Sequence, residues 1–507
     1  MNDQREQRFD LLDENAKAVK TVMNAVESTI GPKGLDTMLV DQFGNVVITN
    51  DGVTILNMME TTHPVAKMLI HSIDAQQEDV GDGTTTTALM AGEMVQYGLE
   101  QIKKGVPVAQ ILTGLRYGVK EATRLMEKEA IQIGSMDTGQ LYNIAYIAGR
   151  EDDSIANLIM EGANLIGQDK LLDTQFSFAQ RIKAVEGAES EVLAGVLISK
   201  DRLTKQMPLE LHGKLSVLIV DDALAQEEIS SEAMATESGF RQYMTLKDEY
   251  KVNIQKLIKA GVNAVFIAQG VDDQTVEMLE EAGILVVSEV PHKELVNLAE
   301  HSGAKMIKRT GIQKNESDLK NLFGNVSDIV GNEKLSHIKV LGGSGKKMAT
   351  ILVGAATGEV VGEKERIAKD AASSLQSALQ KGLVAGGGAA ELAVARALEV
   401  NKNRLSGMAV FGADCVIQAL KKPFIQIVTN AGYNPLEKLG DVYKAQELEN
   451  NHHLSVDCDT GRIHDLYIAG IVDPLYVKLH GLKTAGEIAE AILRINIIVK
   501  KKEVQSM

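Results

Sequence analysis

Apolar residues recur at helical spacing near both ends of the chain. Between 107 and 133, Val108, Ile111, Leu112, Leu115, Val119, Ala122 and Met126 fall on one face and Arg116, Lys120 and Arg124 on another, which predicts an amphipathic helix. Ile488, Ile492 and Ile495 repeat that period late in the chain, after Gly481 and Gly486, which read as a glycine-rich entry. A further helix is expected over about 16–28. The middle of the chain follows another rule. Short β-branched runs at 215–220, 262–268 and 284–288 predict strands, and 248–260, 272–282 and 291–301 predict helices. Strands alternating with helices imply a parallel or mixed sheet. An α/β domain is therefore expected to interrupt a helical one, so that the chain leaves the helical domain and returns to it.

One stretch of that insertion fits neither pattern. About 35 residues separate the strand ending at Val220 from the helix near Lys256, longer than compact domains usually leave without structure. It carries Met234, Phe240, Tyr243, Met244 and Leu246, so it reads either as a surface helix-loop or as an arm whose apolar side meets something else. No internal repeat and no long heptad run is present.

Composition narrows the class. The chain has 507 residues, a prior of about three domains. It holds 69 Asp+Glu against 53 Lys+Arg, a formal charge of −16, with aromatics at 4% and no Trp. That balance argues against nucleic-acid and anionic-membrane partners, since phosphate attracts the opposite sign. Two cysteines, Cys415 and Cys458, cannot form a disulfide framework, and the polar first residues lack a signal-peptide core. No apolar run is long enough to span a bilayer. A reducing cytoplasm is the expected compartment.

Four segments carry unusual chemistry. Residues 29–34, Thr-Ile-Gly-Pro-Lys-Gly, follow the first helix and permit backbone N–H groups to approach a phosphate, although a helix C-cap is the better explanation of this motif taken alone. Residues 50–52, Asn-Asp-Gly, read alone as a hairpin turn between the runs 46–48 and 53–56. Residues 81–87, Gly-Asp-Gly-Thr-Thr-Thr-Thr, lead straight into a helix. An N-cap accounts for one Thr or Asp but not the run, whereas a helix N-terminus with added hydroxyls suits a phosphate, and Asp82 suits Mg2+. Residues 365–371, Glu-Arg-Ile-Ala-Lys-Asp-Ala, place Asp370 on a helix ahead of the glycines at 386–388. No P-loop or dinucleotide fingerprint is present: Gly-Gly-Ser-Gly-Lys-Lys at 342–347 has the wrong spacing. His452, His453, Cys458 and His464 match no zinc pattern and read as surface residues.

In this order, with Ala-Gly-Gly-Gly-Ala-Ala-Glu at 385–391, Gly-Tyr-Asn at 432–434 and Val-Asp-Pro at 472–474, the series resembles the chaperonin family along nearly the whole chain. The resemblance implies a multidomain α and α/β fold. A helical equatorial ATPase domain would come from 1–136 and 389–507, an intermediate hinge domain from 137–192 and 350–388, and an α/β apical domain from 193–349. The stretch at about 223–250 looks like the helical protrusion that serves the archaeal and eukaryotic cytosolic (group II) type as a built-in lid. A divergent bacterial member is the alternative origin. The chain also ends in Val-Lys-Lys-Lys-Glu-Val-Gln-Ser-Met rather than a Gly-Met-rich tail.

The resemblance further implies an ATP-dependent chaperone that encloses non-native polypeptides. Identical subunits would form stacked eight- or nine-membered rings, without a separate co-chaperonin lid. Carried over by motif, Thr29, Gly31 and Pro32 would contact phosphate, with Gly52 beside them. Asp82 would ligate Mg2+, and Gly83, Thr84, Thr85 and Thr86 would cradle the β- and γ-phosphates of ATP. Asp51 and Asp370 would position and activate the attacking water. Gly387, Asn434 and Asp473 would surround the nucleoside. Arg150 stands where many lid-bearing members have Lys, which leaves a nucleotide-sensing role for it open. Gly-Ala-Ala-Thr at 354–357 also departs from the usual Arg-Gly-Gly-Thr. A metabolic phosphotransferase would need a kinase motif that is absent, and a ring scaffold without hydrolysis would not need Asp51, Asp82 and Asp370.

Overall fold

A computed structural model describes residues 2–40, 44, 46–134, 136, 139–226 and 236–498. It divides into two compact units, and both ends of the chain build the first: Met1–Ala156, Leu171–Phe176 and Lys369–Met507. Helix Thr84–Lys103 lies at its centre and packs against Asn2–Val26, Val410–Asn430 and Leu475–Arg494. Ala88, Leu89, Ala91 and Met94 of this helix are all buried, as expected of a helix enclosed on all sides. Helix Val108–Lys128 keeps its amphipathic pattern: Ile111, Leu115, Ala122 and Met126 are buried, while Arg116 pairs outside with Glu490.

Some expectations change here. The first helix, Asn2–Val26, begins well before residue 16, because Leu12, Ala16, Val19 and Met23 already form one buried stripe and the preceding polar residues are mostly good helix formers. Gly481 and Gly486 do not introduce the last helix but lie inside Leu475–Arg494. A Cβ there would stand 2.6 Å from Thr87 Oγ1 and 2.6 Å from Val119 Cγ2, respectively, so these glycines are packing positions. Asn-Asp-Gly is not a hairpin turn. Val46–Thr49 is indeed a strand, paired antiparallel with Thr37–Val40, but Asp51 then caps the helix Gly52–Met58.

The second unit is Asn157–Lys170 with Ser177–Ala368. Its six-stranded sheet runs in the order Gly195–Ile198, His337–Leu341, Gly324–Asn332, Glu210–Val220, Ala264–Ile267, Leu285–Val287. The three strands anticipated from the apolar runs form its parallel half. The sheet is mixed, within the expectation of a parallel or mixed sheet, but the strands of its antiparallel half carry no clear pattern of their own: Gly324–Asn332 mixes polar residues with Val326 and Ile329. Alternation along Glu210–Val220 sends Val217 and Ile219 into one core and Leu218 and Val220 into the other, so both faces of the sheet are covered. A smaller sheet pairs Thr350–Ala355 with Ile182–Glu186 in parallel and with Glu191–Leu193 antiparallel, joining the outgoing and returning strands of the insertion. Helix Glu237–Lys259 starts eleven residues before the predicted 248, with Thr236 as its N-cap. The remainder of the expected arm at 227–235 lies outside the described residues. Among the described residues no helix is long and apolar enough to cross a membrane.

Candidate functional site

The site is built around residues 81–87 of the first unit. Helix Pro64–Val80 ends at Gly81 and helix Thr84–Lys103 begins after Gly83, so a single residue, Asp82, separates two glycines at φ +80° and +81°. Only glycine adopts that conformation cheaply, and two such residues turn one helix sharply into the next. The turn leaves the N-terminus of a 20-residue helix open at Thr84, with the unpaired N–H groups and partial positive charge that suit an anion. Thr84 is buried and Thr85 and Thr86 are half-buried, while Thr87 turns back to donate to the Gly83 carbonyl at 2.9 Å.

Asp82 is held on several sides. The Gly83 N–H donates to Oδ1 at 2.5 Å and Ser374 Oγ donates to Oδ2 at 3.1 Å. Loss of hydration pushes its carboxyl above the usual range, and the negative field of Asp473 adds to that rise. The Gly83 and Ser374 hydrogen bonds and the field of Lys478 oppose it. A half-buried carboxylate facing a second carboxylate beside a helix N-terminus is chemically suited to a divalent cation, and Asp82 fits that demand.

The other motifs converge on this turn from three directions. Asp51 Oδ2 accepts from the Thr54 N–H at 2.9 Å and the Thr54 hydroxyl at 2.6 Å, which fixes the start of Gly52–Met58. Gly52 lets that start approach the threonine run: a Cβ there would stand 2.4 Å from Thr85 Oγ1. Asp370, on helix Gly358–Lys381, accepts from Gln77 Nε2 at 3.0 Å, and the same nitrogen donates to the Gly81 carbonyl at 3.1 Å. Asp473 comes from Val472–Pro474, which pairs with Leu383–Ala385 just ahead of the triple glycine. Lys478 Nζ stands 2.7 Å from Asp473 Oδ2 and 2.7 Å from Glu391 Oε1. Burial works against the Lys478 charge, but the two carboxylates outweigh it and hold its pKa well above the ordinary value.

The remaining candidates contact other groups. The turn at 29–34 is closed by the Gly34 N–H donating to the Gly31 carbonyl at 3.0 Å, around Pro32, and Thr29 Oγ1 donates to Val26 O. Asn430 Nδ2 secures this turn by donating to the Glu27 and Ile30 carbonyls at 2.9 Å each. Gly387 offers its carbonyl to Ser455 Oγ at 3.1 Å. Asn434 caps Pro435–Leu448, its Oδ1 accepting from the Leu436 and Glu437 N–H groups at 3.0 and 3.2 Å, and among the described residues no hydrogen bond joins it to Asp82. Of the histidine group, His452 and His464 are exposed, whereas Cys458 is buried rather than a surface residue.

Residues 22–503 match the TCP-1/cpn60 chaperonin family. The chain belongs to that family. This chaperonin is 32% identical to the thermosome subunit beta of Archaeoglobus fulgidus over 504 residues, covering 96% of this chain and 91% of that protein. It is 30% identical to the thermosome subunit alpha of Thermoplasma acidophilum over 521 residues, covering 99% and 93%. The crystal structure of a group III chaperonin in the open state superposes with a TM-score of 0.88 at 41% identity, over 97% of this chain and all of that one. The protein is an ATP-dependent chaperonin, an ATPase whose hydrolysis serves protein folding.

The sequence motifs did not reveal several participants in the chaperonin's site. Gln76, Gln77, Ser374 and Lys478 all touch motif residues, and none carries a local signal that separates it from ordinary helix surface. Lys478 follows Val-Asp-Pro by one helical turn, the one placement that hints at a partner for Asp473.

Proposed function

We propose that this chaperonin hydrolyses ATP at the Gly-Asp-Gly turn and couples hydrolysis to enclosure of non-native polypeptides. The observation that carries the reading is the convergence of Gly52, Gly81, Asp82, Thr85 and the Gln77-bound Asp370 on one helix N-terminus. Thr29, Gly31, Gly83, Thr84, Thr85 and Thr86 bind the phosphates through backbone N–H groups and hydroxyls, and Pro32, which has no N–H to donate, shapes the first phosphate turn. Asp82 holds Mg2+, which when bound neutralises phosphate charge. Asp51 and Asp370 orient a water in line with the γ-phosphorus and take up its proton. The P–O bond to the β-phosphate breaks, leaving ADP and phosphate. Such transfer needs positioning and charge neutralisation more than covalent help. Gly387, Asn434 and Asp473 face the nucleoside, Asn434 by exchanging its cap bonds for the ligand.

Asp370 lies on the helix by which the chain returns from the insertion, so hydrolysis is gated by the position of that helix. Within the two units we divide the chain further into an equatorial domain of 1–136 and 389–507, an intermediate domain of 137–192 and 350–388, and an apical domain of 193–349 with a built-in lid at about 223–250. Subunits stack in two rings of eight or nine in the cytoplasm, without a separate co-chaperonin. The higher identity to the group III chain, 41% against 32% and 30%, supports that subgroup, as a lid-bearing chaperonin outside the thermosomes proper.

The test is refolding of a denatured substrate protein with ATP, with a non-hydrolysable analogue and without nucleotide, alongside particle size. ATP-dependent recovery from a ring-sized particle is expected, and a monomer without refolding activity would reject the reading. In the same assay Asp370→Ala is expected to leave ATP affinity near normal and slow turnover by about 100-fold or more. Near-normal turnover would remove Asp370 from the chemistry.

A further inference from the structure

The two glycines that make the Asp82 turn possible also leave it soft. Gly81 and Gly83 both sit at positive φ, where glycine is free to leave as easily as to enter. The Gly83 N–H that holds Asp82 Oδ1 belongs to the peptide plane that carries the Asp82 carbonyl. If that plane rotates, the carboxylate loses one of its two donors, Ser374 alone remaining, and with it its aim. Something has to hold the Asp82 carbonyl, and that group is Gln76.

Gln76 is wholly buried on helix Pro64–Val80, and its Nε2 donates to the Asp82 main-chain oxygen at 3.0 Å. This bond determines the amide's orientation, because only the NH2 end can face a carbonyl. Oε1 must therefore accept, and it receives His480 Nδ1 at 2.6 Å and, more weakly, Thr484 Oγ1 at 3.4 Å. His480 accordingly carries a proton on Nδ1. The imidazole is itself braced by the Tyr476 ring at 5.9 Å and lines a groove of about 340 Å³ with Leu475, Leu479 and Lys483. A relay thus runs from the last helix, Leu475–Arg494, through one buried amide to the carbonyl of Asp82. Neighbouring Gln77 holds the carbonyl of Gly81 in the same way.

We propose that Gln76, oriented by His480, is the positioning residue of the Asp82 carboxylate: it locks the Gly-Asp-Gly turn so that Asp82 is preset for its cation before nucleotide arrives. This rests on the metal role given to Asp82 above. Gln76 touches neither substrate nor metal, so its effect is to be read in metal affinity and in the rigidity of the turn.

The experiment uses the full-length chain with four variants, Gln76→Leu, His480→Leu, His480→Asn and Asp82→Asn, each checked for particle size and melting. Mn2+ binding in the presence of ADP is followed by electron paramagnetic resonance. Amide hydrogen exchange of the peptide spanning residues 81–87 is followed without metal or nucleotide. Gln76→Leu and His480→Leu are expected to weaken Mn2+ about tenfold or more, the usual cost of losing an outer-shell partner, and to speed exchange across the turn. His480→Asn, whose amide places a donor near the Nδ1 position, restores both. Unchanged exchange in Gln76→Leu, or a His480→Asn protein as impaired as His480→Leu, overturns the inference. Undiminished Mn2+ affinity in Asp82→Asn overturns instead the metal role on which it rests, and the exchange measurement separates the two failures.

Discussion

Asp82 carries an electrostatic tension that burial creates. Its carboxyl is held above the ordinary carboxylate range by desolvation and by Asp473, so the native state keeps this proton longer than the unfolded chain does. Its stabilising share is complete below the unfolded-chain value and is lost as pH rises through the raised native value. At neutral pH without cation, Asp82 therefore destabilises the fold. Asp82→Asn is expected to raise the melting temperature of nucleotide-free protein by a few degrees at pH 7 while abolishing the metal dependence of ATP hydrolysis; scanning calorimetry in chelator checks the first part. No such rise is expected near pH 3, where both states are protonated. Asp82 was legible in the sequence because a Gly-Asp-Gly-Thr run has few ordinary explanations. Lys478 was not, because its buried ion pair with Glu391 exists only once two separate helices meet.

At the scale of the element, two glycines set the closest approach of one helix pair. Helices Val108–Lys128 and Val410–Asn430 approach at Gly114 and Gly412, where a Cβ would stand 1.8 Å from the Ala409 oxygen and 2.1 Å from the Ile111 oxygen. Both obstacles are backbone, which cannot rotate away. Gly114→Ala is expected to cost about 3 kcal/mol or more of unfolding free energy, measured by denaturant titration, through separation of the two helices. Periodicity placed the helix Val108–Lys128 correctly but could not say which residue lies at the crossing. The Asp51 segment shows the converse. Asp-Gly before an apolar run suits a hairpin and a helix cap alike, and only Thr54 donating to the carboxylate decides for the cap.

At the scale of the whole molecule, the insertion returns the chain to the helical unit it left. The six-stranded sheet uses strands from Gly195–Ile198 to His337–Leu341, so its complete hydrogen-bonding partnership lies inside the proposed apical span. A fragment of residues 193–349 is therefore expected to fold alone and melt in one cooperative transition at about 45–65 °C by circular dichroism. A fragment without cooperative melting would place the boundary elsewhere. The sequence by itself determined the helical ends, the α/β middle and the order of phosphate-site motifs, because periodicity and glycine-rich turns are local properties of the chain. Tertiary structure alone decided which carboxylates share one turn, which lysine lies between Asp473 and Glu391, and which glutamine holds the Asp82 carbonyl. The Asp370 and Ser374 contacts to this turn, and the His480 contact that orients Gln76, join segments about 290 to 400 residues apart, and neither charge nor periodicity encodes which distant helix a side chain will meet.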